Sequence, residues 1–140
     1  MPLALVKRAI ELARDRDRLV RAMALLNAAR VLAAMDIEAA RQAFGKGVSA
    51  AEGLHLPAHE TEFVLHEAVG LGAYADPLAA AALFRRLPPG DHVLLRHRAG
   101  TKLVQSLALS GDFENALGLL EDLHYEVGGA QAVVDWAADP

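Results

Sequence analysis

The chain has no cysteine, one tryptophan, three serines and two threonines in 140 residues. Without thiols there is no disulfide framework, no thiolate zinc site and no cysteine nucleophile. Aromatics reach only 5% and β-branched residues are few, which argues against an all-β domain. No stretch reaches the roughly 18 uninterrupted apolar residues that a bilayer span needs. In Met1-Pro2-Leu3-Ala4-Leu5-Val6-Lys7-Arg8 the charges follow the apolar residues, whereas an export signal has them first. No export signal and a cytoplasmic location are therefore expected. Nucleophiles are scarce as well. Ser49, Ser106, Ser110, Thr61 and Thr101 are the only hydroxyls of that kind, and none sits in a nucleophile elbow. Gly45-Lys46-Gly47-Val48-Ser49 lacks the upstream glycine spacing of a phosphate-cradling loop. A non-enzymatic protein without a cofactor is expected.

What the chain has in quantity is alanine (29) and leucine (23), within a hydrophobic fraction of 54%. Alanine loses no side-chain entropy in a helix and leucine loses little, so helix is favoured throughout. The length suits one compact domain or a short array of repeats. Charge is unevenly placed. Residues 1–35 carry seven Lys/Arg against three Asp/Glu, a net of +4. Residues 36–95 carry four against eight, and residues 96–140 three against seven, each a net of -4. Asp15 and Asp17 dilute the basic run of Lys7, Arg8, Arg14, Arg16, Arg18 and Arg21, and no aromatic lies nearby to stack a base. Nucleic-acid binding is not expected.

Turn signals divide the chain into helix-length pieces. Pro2 suits a first helical turn, and Leu3, Val6, Ile10 and Ala13 predict a helix over about 3–14. A second helix, about 18–35, runs through Leu19, Met23, Leu26 and Arg30. Asp36 is a good cap for a third, about 37–51, with Ile37, Ala40 and Phe44 on one stripe. A fourth, about 58–74, opens with Glu60 and Glu62 at the positive end of its dipole. Asp76 and Pro77 start a fifth, which ends before Pro88-Pro89-Gly90. Asp91 caps a sixth, about 92–109, and Asp112 a seventh, about 113–125. A short eighth, about 130–138, follows Gly128-Gly129, with Trp136 and Val133 covering one end of the molecule.

Three of these starts share a pattern: Asp36 to Phe44, Asp76 to Phe84 and Asp112 to Leu120. Each has aspartate, alanine four residues on, and Phe or Leu four beyond that. The offsets between copies are 40 and 36 residues. Aspartate caps the second helix of a hairpin, alanine admits the first helix closely, and the larger residue fills the space where the hairpin opens. Two helices cannot cover both their apolar faces alone, so such units stack. Small residues also recur before the turn, at Ala28 and Ala68, with Val104 in that place in the third copy.

Leu107-Ala108-Leu109-Ser110-Gly111-Asp112-Phe113-Glu114-Asn115-Ala116-Leu117 resembles the turn of the tetratricopeptide repeat family, and the other two copies resemble it more loosely. The likeness covers roughly residues 20–123. It departs from the family in lacking most of the bulky aromatics and glycines of the first helices, and in a period longer than 34. The resemblance implies an all-α fold. Antiparallel hairpins over about 18–52, 58–87 and 91–125 would stack as a short right-handed α-solenoid of seven or eight helices. It implies a scaffold that binds a peptide, a partner helix or a second copy of the chain through an apolar groove. Carried over by distance from each aspartate, the groove takes Leu25, Ala29 and Leu32, then Glu62, Leu65 and Val69, then Arg98, Thr101 and Gln105.

Two other constellations compete. Arg98, Lys102 and Gln105 share one helical face and suit a carboxylate or an acidic peptide, arginine by a two-pronged hydrogen bond and lysine as a point charge. His59, Glu62 and His66 also share a face, with donors that zinc or nickel accept. Their spacing is not that of a His-Glu-x-x-His helix, and Glu62 with His66 would equally pair along the helix. No metal is expected there; a metal-binding protein is the alternative, as is a regulatory or sensor module of a larger assembly.

Overall fold

A computed structural model describes residues 3–13, 18–88 and 92–123. Among them the chain is all-helical, with no strand. The helices are α1 (Leu3–Ala13), α2 (Arg18–Leu32), α3 (Ile37–Glu52), α4 (Ala58–Gly72), α5 (Pro77–Arg86) and α6 (Val93–Leu109). A seventh, α7, is helical from 113 to 123. The expected eighth helix, Trp136 and the proposed Asp15, Asp17 and Asp91 caps lie outside the described residues. α2 and α4 stop earlier than the periodicity suggests, because residues 33–35 and 73–75 are spent on turns.

Those turns have a local cause. Asp36 Oδ1 accepts from Ala39 N at 3.1 Å, Asp76 Oδ1 from Ala79 N at 3.2 Å and Asp112 Oδ1 from Asn115 N at 3.3 Å. Each satisfies an amide that the first helical turn leaves without a partner. The first two corners also close alike: Asp36 N donates to Leu32 O at 2.8 Å, and Asp76 N to Gly72 O at 3.0 Å. The third corner is one residue longer. Asp112 N reaches back to Leu107 O at 2.9 Å, and Gly111 takes φ +85. Glycine meets that left-handed requirement without a Cβ clash. α4 and α6 start differently, at Pro57 and His92, neither of which makes a side-chain cap.

The corners set the packing register. Leu25, Leu26, Ala28, Ala29 and Leu32 are buried and precede Asp36 at the distances at which buried Leu65, His66, Ala68, Val69 and Gly72 precede Asp76. In α6 the buried counterparts Gly100, Leu103 and Leu107 lie one residue further from Asp112, which is the extra residue of the third corner. After the cap, Ala40, Ala80 and Ala116 are all buried, as are Ala43, Leu83 and Leu119. Phe44 and Phe84 are buried too, but each works across to the next hairpin. A Cβ on Gly72 of α4 would overlap the Phe44 ring. The Arg96 guanidinium of α6 lies 4.0 Å from the Phe84 ring centroid. Their counterpart Leu120 is 51% exposed, so the third copy does not repeat this contact.

Between helices, α1 packs against α2 alone. α2 packs against α1, α3 and α4, and α4 against α2, α3, α5 and α6. α3 and α5 do not pack together; an exposed Arg86–Glu52 ion pair of 3.3 Å bridges their ends.

Candidate interaction surface

The residues expected to line an apolar groove fall into two groups. Leu25, Ala29, Leu32, Leu65 and Val69 are buried, none more than 8% exposed. They are interior packing in this chain, so a groove open along them is not present. The reason is helix width: α2 and α4 pack on several neighbours and hide most of their circumference, leaving little apolar face for a ligand. Glu62 and Thr101 are half-buried, and the Thr101 hydroxyl donates to His97 O of its own helix at 2.8 Å. In α6 the longer third corner moves the equivalent face to Gly100 and Val104, so Thr101 and Gln105 are not the counterparts of Leu65 and Val69.

Arg98, Lys102 and Gln105 are exposed. Arg98 and Lys102 line a small cleft of about 80 Å³ between α4 and α6, with His66, Glu67, Gly70, Leu71, Leu95 and Ala99. The stripe expected on α6 is therefore accessible and faces a carboxylate-bearing helix.

His59, Glu62 and His66 do not converge. Among the described residues no group of three or more metal-ligating side chains is assembled. Both ring nitrogens of His66 are engaged. Nδ1 donates to Glu62 O at 2.8 Å, which leaves Nε2 as the acceptor for Arg96 Nη1 at 3.1 Å. That pattern requires a neutral ring. Burial pushes the His66 pKa down, and the positive charge of Arg96 pushes it further; the Glu62 carbonyl opposes both. Arg96 Nη1 also donates to Phe84 O at 3.3 Å. The sequence gave no sign of this Arg96–His66–Phe84 cluster, because its members come from three helices. Near its mouth His92 Nε2 donates to His59 O at 2.9 Å, and the Phe63 and His92 rings meet edge-on at 5.6 Å.

Exposed apolar surface lies at the corners. Met35 and Ile37 flank the first cap at 42% and 44% exposure, Tyr74 and Leu78 the second at 46% and 59%, Leu109 and Phe113 the third at 83% and 64%. Sequence reasoning missed them because apolar residues were assigned to helix interiors. The signal was present: an apolar residue stands within two positions after every capping aspartate.

No family model, no curated protein and no solved structure matches this chain. No described helix is long and apolar enough to cross a membrane.

Proposed function

We propose that the chain is a non-enzymatic protein-binding module made of stacked helix hairpins, resembling degenerate tetratricopeptide repeats, and that its partners dock along the edge formed by the three capped corners. The stacked arrangement is supported by the matching caps, the matching burial before and after them, and contacts that join first helices to first helices. The docking edge rests on one observation: each corner holds two large apolar side chains in solvent. Such residues cost solubility and contribute nothing to the core, whereas a partner would bury them. Arg98, Lys102 and Gln105 supply orientation on α6. The partner is a protein or peptide segment with apolar side chains, a second copy of the chain included. A catalytic role has no support in the nucleophiles, since Thr101 and Ser110 bond to carbonyls of their own helices. The metal-binding alternative is not favoured by a His66 whose two nitrogens are already used.

Photo-crosslinking tests this reading. A benzophenone amino acid at position 74 or 113 is expected to give discrete adducts in the native cell. The same group at Arg41, an exposed site away from the corners, is expected to give none. Leu78→Asp should remove the adduct at 74 while the thermal midpoint stays unchanged. Equal yields at 41, or none at 74 and 113, would dispose of the docking edge. Sedimentation of the purified chain tells self-association from capture of another protein.

A further inference from the structure

A second surface lies apart from the corners. Arg21 of α2 and Gly45, Lys46, Ser49 and Ala50 of α3 line one open groove of about 400 Å³. Its lining contains two cations, one hydroxyl and no acid. Arg21 and Lys46 carry no ion pair or side-chain hydrogen bond, and the Ser49 hydroxyl has no partner, among the described residues. Lys46 has no acid three or four positions away on its own helix, where Gln42, Ala43, Ser49 and Ala50 stand. Gly45-Lys46-Gly47 is not a phosphate loop, since it lies within a continuous helix. Its two glycines nevertheless have different reasons to be there. A Cβ on Gly47 would come within 2.9 Å of Leu26, so this glycine lets α2 and α3 approach and brings Arg21 beside Lys46. Nothing lies within 4 Å of a Cβ on Gly45. Glycine inside a helix costs stability against alanine, and packing does not explain that cost at 45. What it leaves is an uncovered patch of helix between an arginine and a lysine.

We propose that this groove binds the phosphoryl group of a small phosphomonoester. Arg21 grips two oxygens as a fork, Lys46 adds a point charge, Ser49 donates its hydroxyl, and the bare backbone at Gly45 gives the ester room. Two cations match one phosphoryl dianion. A nucleic-acid backbone would need a longer cationic track.

The test is an amide NMR titration of the full chain at low ionic strength, first with inorganic phosphate and then with glycerol phosphate. Saturable shifts are expected at Gly45, Lys46 and Ser49, with a dissociation constant on the order of 1 mM for phosphate. Glycerol phosphate should bind at least as tightly. The R21Q/K46Q double variant should weaken binding at least tenfold with an unchanged thermal midpoint, and Gly45→Leu should weaken it by filling the open patch. No saturable shift up to about 20 mM phosphate would overturn the proposal. So would equal shifts at Lys7, Arg41 and Lys102, or unchanged binding by the double variant. Phosphate binding without ester binding would overturn the ester assignment.

Discussion

His66 is fully buried, and its neutral state is written into its hydrogen bonds. Protonation would set a second positive charge against Arg96 and take away the acceptor that Arg96 Nη1 uses. The folded pKa lies below the ordinary value of 6.5, chiefly through burial and then through Arg96, with His92 adding and Glu62 opposing. The unfolded chain therefore binds the proton more readily. The stability due to this site is complete above pH 6.5 and declines as pH falls below it, by at most about 1.4 kcal/mol per pH unit. Urea midpoints at pH 7.5 and 5.5 should differ more for the parent chain than for His66→Gln; equal differences would exclude this role. Leu65 offers a related lesson. At 8% exposure, an aspartate there would put a charge into the interior, so loss of binding by such a variant would report unfolding.

At the scale of helices, cap chemistry was legible because it is local. An aspartate before an alanine-rich run needs only its own next three residues to form the bond that starts the helix. Asp36, Asp76 and Asp112 accordingly predict where α3, α5 and α7 begin. Which face each helix buries was less legible, because it depends on neighbours distant in sequence. The distance from Asp112 misplaced the α6 face by one residue, since Gly111 with its positive φ adds a residue to that corner. Phe44 likewise reads as filler for its own hairpin, yet it meets Gly72 of the next. Gly72→Ala should cost about 1–3 kcal/mol, as overpacking does, and Phe44→Leu should recover part of that loss. Denaturant melts of both single variants and the double variant check it. Strict additivity would mean that the two residues do not share this contact.

For the whole molecule, the all-helical class followed from alanine, leucine and the shortage of aromatics and β-branched residues. The interaction surface did not follow, because exposure depends on what each residue packs against: Leu25 and Leu65 are covered, while Leu78 and Phe113 are not. Helix environments also differ in depth. α1 has one neighbour and α4 has four. Local opening should track that difference, with amides of α1 exchanging at lower free energy than those of α4. Native-state hydrogen exchange measures it, and a single exchange free energy for both helices would contradict it.

The missing contact between α3 and α5 has a mechanical consequence. With the outer helices joined to each other only by a solvent-washed ion pair, the first helices form the backbone of the molecule and the others hang from it. Tension between the ends would be taken up rung by rung, as in a ladder with one stiff rail, so the chain could lengthen in small steps before any rung is lost.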